Sequence, residues 1–522
     1  MSRVIGIDLG TTNSCVAVLD GGTPLVLPNA EGARTTPSLV AFNDAHERLV
    51  GQQAKRQAVI NPTRTIQRVK RLMGRKYRDA DIQELGQQVG YQLVEHVNGD
   101  CWVQVNGQAF APAEISALIL QKMRLTAEDF FGEEIRDAVI TVPAYFSDAQ
   151  RQATRVAGKI AGLNVLRIIN EPTAAALAYG VQKDKDANLL VFDLGGGTFD
   201  VSVLTVRGGL FEVVATSGDN HLGGEDFDAA IMAYLLDAFE AEHGMDLSGD
   251  AMALQRLRGE AETAKCELST LRETSINLPF FAVNDSGAKH LTATLTRAQL
   301  EEICKPLLDR LEAPARRALQ DANLPGGKVD EVLLVGGMTR MPAVQQLVER
   351  IFGNKPSRGV NPDEAVAIGA SLQAGILAGE VQEFTLMDVT PLSLGLRAKG
   401  NRMSKVIERN TAIPVRATKI YTTTEDNQNT VILQVLQGES EIATDNSLIG
   451  TFSLTDLPPK PAGRLRIEVA FDIDRDGIVN VSATDTETGN EQSITIEDGS
   501  GMSEAEIQRA MQRVGAMTEA AS

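Results

Sequence analysis

A repeated hairpin limits what this chain can become. Near the start, Val4-Ile5-Gly6-Ile7-Asp8-Leu9-Gly10-Thr11-Thr12 leads into Val16-Ala17-Val18-Leu19. Much later, Leu189-Leu190-Val191-Phe192-Asp193-Leu194-Gly195-Gly196-Gly197-Thr198-Phe199-Asp200 leads into Val201-Ser202-Val203-Leu204. Each copy is an apolar strand ending in Asp-Leu-Gly, a turn of Gly and Thr, and a second apolar strand. Glycine carries no Cβ, so the backbone N–H groups of such a turn can approach a phosphate closely. The aspartate beside it can hold a hydrated cation. One copy alone is compatible with a plain tight turn. Two matching copies point to a duplicated domain whose halves clamp a nucleotide triphosphate.

At 522 residues the chain exceeds one ordinary core, so several domains are expected. A formal charge of −19 argues against nucleic acid as a main partner, because phosphate binding needs a basic face. The cysteines Cys15, Cys101, Cys266 and Cys304 form no CxxC pair, so neither a zinc ribbon nor a disulfide framework is indicated. They read as core thiols, with Cys15 set apart by its place beside the first phosphate turn. The histidines are scattered and form no HExxH. The first strand starts at Arg3 or Val4, which leaves no room for a leader peptide. The apolar stretch Ala365 to Gly379 is shorter than the roughly 18 to 20 residues that span a bilayer. A soluble cytoplasmic protein without a membrane partner is expected.

Strands alternate with helices up to about Gly379, as in an α/β domain. The pattern predicts strands at Asp137 to Pro143 and Val165 to Ile169, and helices at Asp148 to Ala161, Thr173 to Tyr179 and Met252 to Leu268. Val332 to Pro342 reads as a strand turning into a helix against a ligand. The stretch Gly379 to Asp388 has acidic ends around a short apolar centre and reads as an interdomain linker. Strands dominate from Val389 onward. Leu465, Ile467, Val469, Phe471 and Ile473 alternate with polar residues, as do Tyr421-Thr422-Thr423 and Val431 to Val435. Turn signals at Asp426 to Asn429 and at Asp476-Gly477 separate them. An antiparallel β sandwich follows. Ser503 to Ala521 reads as a helix, with Ser503 as N-cap and Glu506 as its capping-box partner.

Neither GxxxxGK[ST] nor a GxGxxG after a strand occurs, so phosphate chemistry rests on the two hairpins. Lys70 lies in a basic run, Arg68 to Arg71, which alone reads as a solvated face. Glu171 alone reads as an acid at a helix start. Asp472-Ile473-Asp474-Arg475-Asp476-Gly477 matches half of a calcium loop, but Ala483 stands where that loop needs a bidentate Glu. It reads as a β-hairpin turn.

The motifs IGIDLGTTNS from Ile5, INEPTAAALAYG from Ile169, DLGGGTFD from Asp193, LGGEDFD from Leu222, VGGMTRMP from Val335, NPDEAVA from Asn361 and DVTPLSLG from Asp388 resemble, in this order, the seventy-kilodalton heat-shock chaperones, and closely the bacterial DnaK type. The resemblance runs to about residue 515. It implies an actin-like two-lobed ATPase domain over residues 1–379, a linker over 380–389, an antiparallel β-sandwich peptide-binding domain over 390–500 and the start of a helical lid over 501–522. It also implies ATP or ADP, Mg2+ and K+. By resemblance, Asp8 and Asp193 hold the hydrated magnesium, while Thr11, Thr12, Asn13, Gly195, Gly196, Gly197 and Thr198 bind phosphate. Lys70 offsets developing phosphate charge, and Glu171 and Asp200 order or activate the water, with Thr198 beside them. Gly224, Glu262, Lys265, Ser269, Gly336, Gly337, Arg340 and Asp363 match the grip on adenosine. Leu396, Tyr421, Val431, Leu433 and Ile467 match the lining of a cleft for one extended hydrophobic segment; from alternation alone they are equally plain sandwich core. Arg167, Asn170, Thr173 and Asp388 match positions that engage a J-domain co-chaperone. Unfolded or nascent polypeptides and a GrpE-type exchange factor are the other implied partners.

This chain departs from the family's pattern in several places. Cys266 stands where some relatives carry Arg, and Met338 where others carry a polar residue. Lys399 and Thr424 stand on the arch over the cleft where Met and Ala are expected, which predicts weaker apolar closure. Thr385 makes the linker less aliphatic and is expected to weaken its docking. Only about the first helix of the lid is present in this sequence, which predicts fast peptide exchange with ADP. The main alternative function is a small-molecule kinase on the same fold, which needs no β sandwich joined by an apolar linker. A filament-forming actin relative and a nucleotide-binding regulator without turnover are further readings; Lys70, Glu171, Thr198 and Asp200 together argue against the regulator.

Overall fold

The computed structural model describes residues 3–43, 47–180, 186–285, 287–324, 328–357, 359, 361–381, 384–495 and 501–519. The strand Val4–Asp8 lies parallel to Asp137–Val142 and antiparallel to Asn13–Asp20. Asn164–Asn170 extends one side and Thr23–Val26 the other, within a six-stranded sheet. The second hairpin rebuilds this pattern. Ala187–Leu194 lies antiparallel to Phe199–Arg207 and parallel to Glu331–Val335, and Leu210–Asp219 continues a second six-stranded sheet. Both central strands are buried almost throughout, because helices cover the sheets. The α/β half of the chain is therefore a structural duplication, and each half carries its own core.

Between the sheets run the helices Glu171–Gly180 and Ala365–Ala378. They touch backbone to backbone. A Cβ on Gly369 would sit 1.8 Å from the Ala174 carbonyl oxygen, so only glycine allows this crossing. Gly369→Ala is expected to destabilise the protein by about 3 kcal/mol through overpacking. A chemical-denaturation midpoint unchanged from wild type would show that the helices separate freely.

Predicted and observed helices agree within a residue or two: Asp148–Ile160, Glu171–Gly180 and Ala251–Glu267. The linker reading needs correction in one respect. Thr385–Val389 is a strand that pairs parallel with the edge of the second sheet, Leu210 opposite Thr385 and Phe211 opposite Leu386. Thr385 is exposed there, so its hydroxyl displaces no apolar contact. Gln382 and Glu383 lie outside the described residues.

Beyond the linker strand, two four-stranded antiparallel sheets face each other across one core. One holds Leu394–Ala398, Arg402–Ile407, Val431–Gln437 and Ser447–Leu454; the other holds Val415–Tyr421, Ile467–Ile473, Val479–Asp485 and Glu491–Thr495. The predicted strand ends at Tyr421, so Thr422 and Thr423 leave the sheet. The calcium-loop lookalike is a hairpin turn: Asp474 Oδ1 accepts from the N–H of Asp476 and Ile478, at 2.8 and 3.0 Å. The helix Glu504–Glu519 starts from the expected capping pair, with the Ser503 N–H donating to Glu506 Oε2 at 2.8 Å. Its apolar face, Ile507, Ala510 and Val514, joins the core of the first lobe. Ala521 lies outside the described residues. Among the described residues no helix is long and apolar enough to cross a membrane.

Candidate functional site

The two hairpin turns face each other across a cavity of about 360 Å³. Asp8, Thr11, Thr12 and Asn13 line it from the first lobe, and Asp193, Gly195, Gly196 and Thr198 from the second. Gly197 and Asp200, the other matched residues of the second hairpin, are not among the cavity's lining residues. Lys70 and Glu171 enter from the first lobe and form an ion pair of 2.6 Å. The basic run around Lys70 is no solvated face. Arg68, Lys70 and Arg71 are 2%, 5% and 9% exposed, because acidic partners from both lobes enclose them.

Four carboxylates converge here with one lysine. Burial, and then Glu171, push the Asp8 carboxyl up to about 7. Burial, then Glu171 and Asp200, push Asp193 well above its ordinary range. Asp193 Oδ2 is buried without a hydrogen-bond partner. A divalent cation would relieve both strains, so the donor set fits one. Among the described residues no three His, Cys, Asp or Glu side chains converge as a direct metal cage. Two carboxylates with water and phosphate as further ligands suit magnesium, which keeps much of its hydration.

Asp200 accepts from the N–H groups of Ala144 and Tyr145, each at 3.2 Å, yet burial and Glu171 raise its carboxyl to about 7. A raised carboxyl favours the protonated folded state. The folded state therefore loses stability as pH rises from about 4, where the unfolded chain ionises, to about 7, and no more above that. Asp200→Asn removes this loss. In the nucleotide-free protein, the melting temperature of the variant relative to wild type is expected to climb between those pH values. Parallel curves would refute the placement of the charge.

At the other end of the cavity, Gly224, Glu262, Lys265, Ser269, Gly336, Gly337, Arg340 and Asp363 come together. Their charges are already matched. Lys265 Nζ donates to the Gly224 carbonyl and meets Asp228 Oδ1, each at 2.8 Å. Arg340 binds Asp363 at 2.6 Å, and Glu262 binds Lys55 of the other lobe at 3.0 Å. Gly336 has φ +81°, and a Cβ there would stand 2.3 Å from the Leu194 oxygen, so the turn requires glycine. With the cations occupied, Met338 and Cys266 offer the uncharged surface at this end. Cys15, Cys101 and Cys304 are buried as expected, but Cys266 is exposed.

The cavity thus has glycine-rich turns at one end and charge-paired, partly apolar residues at the other. The family model described as Hsp70 protein matches residues 4–521. The chain belongs to the Hsp70 family. It is thus a member of a chaperone family whose members are ATPases and bind ATP or ADP with magnesium.

In this Hsp70 chain the β-rich region lies against the ATPase lobes through residues the sequence did not single out. Asp476, at the tip of the hairpin turn, pairs with Arg155, and its Oδ1 accepts from the Ile168 N–H at 3.2 Å. Arg151 donates to the Asp476 carbonyl at 3.3 Å and to the Ala144 carbonyl at 3.0 Å. The Val479 N–H donates to Asp148 Oδ1 at 2.8 Å, and Arg409 pairs with Asp321 at 2.8 Å. Local sequence gives no sign of these contacts, since each joins residues far apart in the chain.

Three of the residues matched to co-chaperone binding, Arg167, Thr173 and Asp388, lie in or beside the same interface. Thr173 donates to Asp388 Oδ2 at 2.9 Å, Asn170 is buried, and Arg167 stands 3.8 Å from Asp476. In this arrangement Arg167 and the Thr173–Asp388 pair join the β domain and the linker to the lobes. Of the residues matched to a peptide cleft, Leu396, Leu433 and Ile467 are sandwich core, while Tyr421 and Val431 are partly buried against it. Lys399 and Thr424 are exposed.

Proposed function

We propose that this chain is an ATP-driven chaperone of the bacterial DnaK type that grips extended hydrophobic segments of unfolded proteins. One observation carries the coupling. Asp200 accepts from the N–H groups of Ala144 and Tyr145, the Ala144 carbonyl accepts from Arg151, and Arg151 also donates to Asp476 of the β domain. Rearrangement at the phosphate end thus has an unbroken polar route to the peptide-binding domain. The docked linker strand and the Thr173–Asp388 bond lie alongside it.

Hydrolysis in this reading is positioning plus electrostatics. Thr11, Thr12, Asn13 and the Gly195 to Thr198 turn hold the phosphates. Asp8 and Asp193 would hold hydrated Mg2+, with K+ nearby, and bound magnesium would neutralise phosphate charge. Lys70 faces the developing charge on the transferred phosphoryl group. Glu171 and Asp200 orient the attacking water, and Asp200, whose carboxyl is raised toward neutrality, is suited to receive its proton. The peptide would lie across Leu396, Tyr421, Val431, Leu433 and Ile467, under an arch of Lys399 and Thr424. Leu396, Leu433 and Ile467 are closed into the core, so in this reading the arrangement would be the weak-binding state. A J-domain co-chaperone reaching Arg167, Asn170, Thr173 and Asp388 would act when the β domain lifts away. A GrpE-type factor would reopen the lobes, whose mouth is tied by Lys55 and Glu262. The setting is cytoplasmic.

Steady-state ATP hydrolysis with and without an unfolded peptide tests this reading. Several-fold stimulation is expected, and a rate indifferent to peptide would contradict coupling. The Lys399 and Thr424 arch adds a second expectation. A peptide array should show weaker selection for a central aliphatic side chain than an ordinary DnaK shows. Identical profiles would sink that idea.

A further inference from the structure

Lys70 sits in a short 3-10 turn, Val69–Leu72, entered through Arg68 in a left-handed conformation at φ +60°. The lysine points to the cavity, while its two arginine neighbours cross to the other lobe. Arg71 Nη2 donates to the carbonyl of Gly197, in the second phosphate turn, at 3.1 Å. Its guanidinium also forks onto both carboxylate oxygens of Asp226. Asp226 Oδ2 accepts from the Gly223 N–H at 2.8 Å, at the start of the helix Gly224–His243. That helix start is itself bonded to the phosphate turn, with the Gly224 and Glu225 N–H groups donating to the carbonyls of Gly195 and Gly196, each at 2.9 Å. Arg68 Nε meets Glu225 Oε2 at 3.0 Å, and Glu225 Oε1 accepts from the Thr12 hydroxyl, in the first phosphate turn, at 3.2 Å.

We infer that Arg71, supported by Arg68, is a positioning residue that locks the Gly195 to Thr198 turn at a fixed distance from Lys70 and from the first phosphate turn. This rests on the nucleotide-clamp reading and extends it. One short turn carries both the charge that meets the phosphoryl group and the two forks that set the turns around it. The bland alternative is a buried ion-pair cluster that only adds stability. The geometry favours positioning, because Arg71 donates to a carbonyl of the second turn, Asp226 caps a helix start bonded to that turn, and Glu225 accepts from Thr12 of the first turn; Arg68 also donates to Gln88 Oε1 at 3.0 Å. A displacement of about 1 Å at such a site is enough for roughly a hundredfold in rate.

The test is a comparison of Arg71→Met, Arg71→Lys and Asp226→Asn with wild type under saturating ATP and magnesium. Arg71→Met is expected to lower kcat about a hundredfold with a much smaller change in KM. Arg71→Lys is expected to rescue little, since one ammonium cannot fork onto Asp226 and reach Gly197 together. Asp226→Asn is expected to fall in the same direction, and the double variant to be no worse than Arg71→Met. A lower melting temperature with kcat intact below it would overturn the inference and leave a structural role. Should Arg71→Met fail to fold, Asp226→Asn with wild-type kcat overturns it equally. If the wild-type chain binds ADP but hydrolyses no ATP, the ATPase reading fails first. ADP dissociation then decides the brace: about tenfold faster release in Asp226→Asn supports it, and an unchanged rate overturns it.

Discussion

Replacing Lys70 with alanine is expected to reduce ATP turnover by about a thousandfold while nucleotide binding survives. Among the described residues Lys70 is the one ammonium beside Asp8, Glu171, Asp193 and Asp200, and it lowers the carboxyls of all three aspartates against burial. Its loss leaves Glu171 without its 2.6 Å partner and, in the proposed reading, removes the charge that faces the phosphoryl group. In the proposed reading the nucleotide keeps its other holds, the two backbone turns and the Gly336–Gly337 end, so affinity is expected to change far less than rate. Single-turnover hydrolysis measured beside equilibrium ADP binding separates these effects. A variant that hydrolyses within a few-fold of wild type would remove Lys70 from the chemistry.

The second large effect concerns the domain contact. Asp476→Asn is expected to abolish acceleration of peptide release by ATP, while hydrolysis without peptide continues. Asp476 is buried, with Arg155, Arg167 and the Ile168 N–H around it. Removing the charge from one partner of such a cluster costs on the order of 2 to 5 kcal/mol of docking. That is enough to depopulate a docked state held by a modest margin. Peptide stimulation of hydrolysis should vanish with it, because one two-state element serves both directions. Retained acceleration would show that the linker strand alone carries the signal.

What the sequence revealed and what it hid have the same cause. The hairpins were legible because a glycine-rich turn is a local object, written in consecutive Gly, Thr and Asp. The Ser503–Glu506 cap and the Asp474–Gly477 turn are local in the same way. The burial of Arg68 to Arg71 was not, since Glu171, Glu225 and Asp226 come from distant segments. Asp476 shows both sides. Its turn geometry follows from the Asp and Gly around it, but its role follows from Arg155 and Ile168, more than three hundred residues away. Alternation placed Leu396, Leu433 and Ile467 inward without telling core from cleft. The linker strand escaped because Thr385-Leu386-Met387-Asp388-Val389 becomes a strand by pairing with Leu210 to Glu212 and with Ala412 and Ile413, both distant or separate segments.

The central claim is that nucleotide in the hairpin clamp governs a peptide held by the β domain. Its most direct measurement is the release of a prebound fluorescent hydrophobic peptide after rapid mixing with magnesium-ATP, with magnesium-ADP as the comparison. Release at least tenfold faster with ATP is predicted. Equal rates with the two nucleotides would contradict the coupling.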